Sequence, residues 1–160
     1  MAFHDDLLTL AGELIEKSES DAAQAELRRA VSTAYYALFH LLISETVLNW
    51  NRESSRPALG RMFDHGLMRR ASQRAPDGRL FPLDGQDPET LNALIKVAKA
   101  FVQLQDKRHL ADYHNGVMWT KLEAQDEVVA AREAFANWAA IRGENIAQEY
   151  LVSLLIKSRD

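Results

Sequence analysis

Apolar residues recur at three- and four-residue steps along most of the chain, whereas the strict alternation typical of β-strands is nearly absent. Such a period places apolar side chains on one face of a helix, so the sequence predicts an all-α protein. The first apolar stripe, which predicts the first helix, consists of Leu7, Leu10, Ala11, Leu14 and Ile15. The residues from Ser18 to Asp21 are typical helix caps, and they separate this helix from the next one.

A second, long helix is predicted from about Asp21 to Asn49. Its apolar face is broad enough to place the helix centrally, and the main stripe is Leu27, Val31, Ala34, Leu38, Leu41 and Leu42. A third helix is predicted from about Ser55 to Ala75. It is the weakest of the set, since Gly60 and Gly66 each cost roughly 1 kcal/mol relative to alanine inside a helix.

The loop from Pro76 to Gln86 is rich in proline and glycine, and it separates the two halves of the chain. The fourth helix has definite start signals, because Asp87 can cap it and Pro88 suits the first helical position. This helix is expected to end near Gly116, in the left-handed conformation that glycine adopts most easily.

Thr120 and Glu123 have the spacing of a capping box, in which the side chain of each residue accepts a hydrogen bond from the backbone N–H of the other. They predict the start of a fifth helix, which Gly143 interrupts before a last helix from Ile146 to Leu155. The expected architecture is therefore a bundle of about five to six helices in a single domain, residues 1–160.

Composition narrows the class of protein. The chain has 160 residues, no cysteine and a net charge of −4, which excludes disulfides and thiolate chemistry and argues against coating nucleic acid by bulk charge. The first residues contain no basic segment, and no apolar run approaches the ~18 residues of a membrane span. A cytoplasmic protein with no membrane partner is expected.

The charge is unevenly distributed. Residues 52–79 contain seven arginines and three acids, a net charge of +4, so the remainder of the chain carries −8. This arginine island suits a local phosphate-binding surface, with Arg61, Arg69 and Arg70 as candidate contacts to RNA or a nucleotide. A solvated helix face with paired charges is the alternative explanation.

The segment from Arg108 to His114 contains the groups best suited to act on a phosphodiester. A guanidinium can bind two phosphate oxygens, and an imidazole can transfer protons at neutral pH. At about 100° and 1.5 Å per residue, Asp112 lies ~40° from Arg108, but His114 lies ~120° away and ~9 Å along the axis. A site with both groups therefore needs either a helix that loosens near Gly116 or a second protomer related by a two-fold axis.

This segment resembles the signature of the HEPN superfamily, in which an Arg, a polar neighbour and a His four to six residues later form a ribonuclease site. The stretch from Glu26 to His40, with its arginines, its Tyr35-Tyr36 pair and its Phe39-His40 pair, resembles the second signature of that superfamily. The turn from Phe63 to Gly66, which contains His65, is similar to a third. Together these regions span most of a HEPN bundle in the right order.

The resemblance implies a HEPN-like up-and-down helical bundle and a metal-independent endoribonuclease that acts on RNA as a homodimer, with no cofactor. It also implies a toxin-antitoxin component with a nucleotidyltransferase-type antitoxin as partner. Arg108 and His114 would be the catalytic residues. The supporting residues would be His109, Asp112, Tyr113, Tyr36, His40 and His65.

Other interpretations remain open. The chain is alternatively a non-catalytic HEPN module that binds a nucleotide or a nucleotidyltransferase partner, or an adaptor whose bundle only mediates association. Arg108 and Asp112 can be an ordinary surface ion pair, and the Tyr35-Tyr36 pair can simply pack in the core. A zinc site is not expected, because His109 and His114 are five residues apart rather than the four that a helical pair needs.

Overall fold

The computed structural model describes residues 1–157, which contain α-helices and two short 3-10 segments but no strand. The prediction of an all-α protein is therefore confirmed. The seven α-helices of this part of the chain are α1 (Phe3–Lys17), α2 (Gln24–Leu48), α3 (Arg56–Gly60), α4 (His65–Arg74), α5 (Pro88–Tyr113), α6 (Lys121–Ile141) and α7 (Asn145–Ser153).

The chain divides into two compact units. The first unit is Met1–Leu41 with Gln103–Phe135, and the second is Leu42–Val102 with the chain from Ala136 onward. Each unit therefore combines segments that are distant in the sequence. The single domain expected from the length of the chain stays a prediction.

The core of the first unit is centred on the first part of α2. The predicted stripe of α2 is buried throughout, from Leu27 onward. Where the chain enters α6, the Gln24 side chain accepts from the Trp119 N–H at 3.0 Å and donates to the Trp119 carbonyl at 2.7 Å. The Asp21 carboxylate accepts from the Lys121 N–H at 2.6 Å. These contacts fasten the connection between α5 and α6 to the segment that begins α2.

The apolar stripe of α1 differs from its prediction. Ala11 and Ile15 are buried as expected, but Leu10 is 43% exposed and Leu7 and Leu14 are half-buried. The core side of α1 is instead a narrow face that includes Gly12, where a Cβ would overlap the Arg132 guanidinium. Part of the α1 stripe therefore stays at the surface.

The core of the second unit is built around two aromatic residues. Trp138 and Tyr150 are almost fully buried, with ring centroids 6.5 Å apart. The Tyr150 and Ser72 hydroxyls are hydrogen-bonded at 2.6 Å, and burial raises the pKa of the Tyr150 phenol. At the surface, the Arg142 guanidinium donates to both carboxylate oxygens of Glu45, at 2.8 and 3.0 Å.

The helix starts follow their local sequence. Asp87 accepts from the Thr90 N–H at 3.0 Å, and α5 begins at Pro88 as predicted. The capping box is also confirmed, since the Glu123 carboxylate accepts from the Thr120 N–H at 2.9 Å and the Thr120 hydroxyl accepts from the Glu123 N–H at 3.1 Å. Each of these caps lies within three residues of its partner, so the sequence alone identifies it.

The third predicted helix is divided. In its place are α3, which ends at Gly60, and α4, which begins at His65. The division follows from Asp64, whose extended backbone and carboxylate cap a new helix by accepting from the Leu67 N–H at 2.8 Å. The prediction of one continuous helix here was wrong because a capping aspartate interrupts it.

The second helix, α2, has the length and apolar character of a membrane-spanning segment, but 61% of its apolar window is buried inside the protein. Burial of this kind is expected for a core helix. The cytoplasmic location stays a prediction.

Candidate functional site

The last turn of α5 brings together part of the predicted site. The Arg108 Nη1 lies 3.8 Å from the Asp112 Oδ2, as their shared helical face predicts. The Ser32 hydroxyl of α2 donates to the same Asp112 oxygen at 3.3 Å. Asp112 therefore links the Arg108 guanidinium to α2.

The Arg108 guanidinium is held by aromatic rings rather than by hydrogen bonds. Its Cζ lies 5.1 Å from the centroid of the Tyr35 ring and 5.7 Å from that of the Tyr36 ring. The Arg108 side chain is only 13% exposed, and its Nε is buried with no hydrogen-bond partner within residues 1–157. A cation over an aromatic face is attracted by the ring quadrupole, so the rings help to fix the position of the guanidinium without using the Nε–H as a hydrogen-bond donor.

The imidazoles lie together on the outer side of the same turn. The His109 ring is 5.0 Å from the Tyr113 ring and 5.7 Å from the His114 ring. All three side chains are exposed. No hydrogen bond or ion pair joins Arg108 to His114 in the part of the chain that the structure describes. Within one chain, the two candidate catalytic groups are therefore not paired, in agreement with the helical angle.

The end of α5 is held by Arg28, a residue of α2 to which the sequence analysis gave no role. Its guanidinium donates to the carbonyls of Ala111 at 3.0 Å and His114 at 3.1 Å. It also donates to the carbonyls of Asn115 and Val117. The last carbonyls of a helix lack partners within the helix, and one planar guanidinium binds the Ala111 carbonyl of the last turn together with three carbonyls that follow the helix end.

This arrangement replaces the predicted glycine cap. In residues 1–157, only Gly78 and Gly85 have a positive φ, so Gly116 is not in the left-handed conformation and that prediction was wrong. Arg28 ends the helix instead. The backbone of His114 is consequently tied to α2, whereas a loosened helix end was one of the two ways in which His114 could have approached Arg108.

The other candidate residues of α2 lie along a groove between α1 and α2. The α2 wall of the groove includes Arg29, Ser32, Tyr36 and His40. The His40 ring packs edge-on against the Phe3 ring of α1, with centroids 4.8 Å apart. Of this stripe, the Tyr36 ring approaches Arg108, whereas the His40 ring contacts α1.

The remaining candidates belong to the second unit. His65 is the first residue of α4 and is half-buried. Arg61 and Arg70 are exposed, and Arg69 donates to the Val102 carbonyl at 3.4 Å. Arg70 also lines a small pocket of about 120 Å³ with two other cations, Arg74 and Lys157. The roles of these residues in binding RNA or a nucleotide stay predictions.

Two further observations bear on chemistry. Burial raises the pKa of the Glu127 carboxyl, which is 5% exposed on α6, while a hydrogen bond from the Gln103 side chain at 3.3 Å opposes the rise. Within residues 1–157, no group of three or more His, Asp or Glu side chains is arranged to hold a metal ion.

Comparison with known proteins found no family model, curated protein or solved structure that matches the chain. The geometry of the site is therefore the basis for proposing a function.

Proposed function

We propose that this chain is a HEPN-type, metal-independent endoribonuclease that acts on RNA as a homodimer, with Arg108 and His114 as its catalytic residues. One observation carries the proposal: the Arg108 guanidinium packs against the rings of Tyr35 and Tyr36, and within residues 1–157 its buried Nε has no hydrogen-bond partner. Buried donors without partners are rare in proteins. A phosphate group of RNA supplies the acceptor oxygens that such a guanidinium needs.

The chemistry follows from these two groups. His114 accepts the proton of a ribose 2′-hydroxyl, and the 2′-oxygen attacks phosphorus. The bond from phosphorus to the 5′-oxygen breaks, and that oxygen leaves with a proton returned by an imidazolium. Arg108 stabilises the negative charge that builds on the phosphoryl oxygens. The products are a 2′,3′-cyclic phosphate and a 5′-hydroxyl.

A homodimer supplies the geometry that one chain lacks. Arg108 faces the rings of α2, whereas the His114 ring lies beside His109 on the outer side of the turn. A two-fold axis near this turn places His114 of one protomer opposite Arg108 of its partner. A nucleotidyltransferase-type antitoxin would control such an enzyme in a toxin-antitoxin pair.

The test is RNA cleavage in EDTA by the wild type, Arg108→Ala and His114→Ala. Loss of the guanidinium is expected to lower the rate about 10²–10³-fold, and loss of the imidazole about 10²–10⁴-fold. Lys99→Ala is the control, since Lys99 is an exposed cation that lies outside both the arginine island and the α5 end. The proposal fails if the wild type cuts no RNA, or if both variants cut as well as the control.

Mixing the two inactive variants tests the shared site. If each site takes Arg108 from one protomer and His114 from the other, a mixed dimer has one intact site. Random exchange of subunits should then restore about a quarter of the wild-type rate. No restoration would mean that both residues act from the same chain.

A non-catalytic nucleotide-binding module is the second candidate function. The observation that favours it is that, within the described residues of one chain, Arg108 pairs with Asp112 and has no hydrogen bond or ion pair to His114. In this case the wild type binds a nucleotide in calorimetry, Arg108→Ala does not, and neither protein cuts RNA. Copurification with a nucleotidyltransferase would extend the same conclusion to a protein partner.

A further inference from the structure

The groove between α1 and α2 of the first unit has a volume of about 470 Å³, within the range of about 300–1,000 Å³ that is usual for small-molecule sites. One wall is apolar and consists of Phe3, Leu7, Leu10 and Leu14 of α1. The sequence pattern predicts burial for the three leucines, yet Leu10 is 43% exposed and Phe3 is 60% exposed. Apolar side chains that the chain itself leaves uncovered indicate a surface that receives a ligand or a partner.

The opposite wall of the groove is polar and leads to Arg108. Ser32 lines the groove and donates to Asp112, the residue that faces the Arg108 guanidinium at 3.8 Å. Tyr36 also lines the groove, and its ring centroid is 5.7 Å from the Arg108 Cζ. The groove and the proposed phosphate site therefore share Ser32 and Tyr36 as a common border.

We infer that this groove binds the base of the nucleotide whose phosphate is held by Arg108. The inference rests on the proposed function and specifies where that site takes its substrate. A base is planar, has apolar faces and carries polar groups only at its edge. Phe3 and the leucines of α1 contact its face, while the exposed Arg29 side chain reaches its edge.

The positive charge in the groove and the closeness of Arg108 to its border favour a nucleotide over an apolar partner helix. The α2 wall brings the Arg29 guanidinium to the groove, and Arg108 lies just past its border. A purely apolar helix would offer no polar group to the Arg29 side chain, whereas a nucleotide brings a phosphate and a polar base edge. Stacking on exposed aromatic rings also tolerates any base sequence, because each base has a π-face.

The experiment measures binding by calorimetry with AMP and with ribose 5-phosphate, which carries the same phosphate and sugar but no base. AMP is expected to bind the wild type about tenfold more tightly than ribose 5-phosphate, the contribution of one stacked base. Phe3→Ala should remove this difference, and Arg29→Ala should reduce it. Trp50→Ala and Lys99→Ala are controls for loss of a ring and of a cation, since both residues are exposed, belong to the second unit and do not line the groove.

Equal affinity of the wild type for AMP and ribose 5-phosphate would overturn the inference. An equal effect of Phe3→Ala on both ligands would do the same. Conversion of a dimer to a monomer by Phe3→Ala, seen by light scattering, would also overturn it, because the groove would then hold a second copy of the chain. Failure of the proposed function looks different: AMP binding still depends on Phe3, but the wild type cuts no RNA.

Discussion

Two helices of this protein end at an arginine guanidinium, and the two arrangements differ in where the arginine comes from. The end of α5, in the first unit, is held by Arg28, which is 83 to 89 residues away in the sequence and reaches four carbonyls. The end of α2, in the second unit, is held by Arg56, only six to eight residues away, through the carbonyls of Trp50 and Leu48. The end that carries the proposed catalytic residues thus depends on tertiary structure, and the other end depends mainly on local sequence.

The largest expected effect comes from removing these two arginines in turn. Hydrogen bonds to charged groups contribute about 1.5–3 kcal/mol each, so Arg28→Ala should lower the free energy of unfolding by about 3 kcal/mol or more. Arg56→Ala should cost about 1 kcal/mol, since its two bonds are exposed and its neighbours are local. Urea denaturation monitored by circular dichroism gives both values.

Arg28→Lys separates charge from geometry at the α5 end. Lysine keeps the positive charge but lacks the planar fork, so it should recover less than half of the lost stability. Equal losses for Arg28→Ala and Arg56→Ala would remove the distinction between the two helix ends.

An intermediate effect is expected from removing a hydrogen bond that joins two helices of the same unit. Tyr150→Phe in the second unit leaves the buried Ser72 hydroxyl without its 2.6 Å partner, and should cost about 1–2 kcal/mol. Ser32→Ala in the first unit removes a longer bond, 3.3 Å, to the exposed Asp112, and should cost about 0.5 kcal/mol. Thermal unfolding compares the two. The Ser72→Ala and Tyr150→Phe double variant should lose less than the sum of its parts, and strict additivity would mean that the two hydroxyls are not coupled.

The smallest expected effect is a dependence of stability on pH in the first unit. Burial raises the pKa of Glu127 above its ordinary value of about 4.5. The stabilisation associated with its protonated form is full below that value and is lost as the pH rises through the raised pKa. Glu127→Gln should therefore flatten the fall in unfolding free energy above pH 4.5. Identical pH profiles for the wild type and the variant would show that Glu127 does not contribute.

The contrast between the helix ends also explains which parts of the fold the sequence could predict. The starts of α5 and α6 follow from Asp87 and from the pairing of Thr120 with Glu123, because those caps lie within three residues of their partners. The end of α5 could not be predicted in this way. Its cap comes from Arg28, and no local pattern links Arg28 to the carbonyls it satisfies.

The candidate site shows the same difference between contacts within one helix, which could be predicted, and contacts between helices, which could not. Helical spacing was enough to predict that Arg108 and Asp112 share a face and that His114 lies elsewhere. It could not predict that the rings of Tyr35 and Tyr36 hold Arg108, or that His40 contacts Phe3, because these contacts join different helices. For the α1 stripe, periodicity predicted an apolar face but not that part of it remains exposed.

The Arg28 contacts also change what a polyanion meets at this end of α5. Uncapped carbonyls at a helix C-terminus amount to about half a negative charge and repel phosphate. A guanidinium placed directly on those oxygens outweighs that partial charge, so the turn that carries His109 and His114 loses the repulsion that its helix would otherwise impose on an approaching RNA strand. A helix end of unfavourable polarity is thereby made compatible with the proposed binding of a nucleic acid.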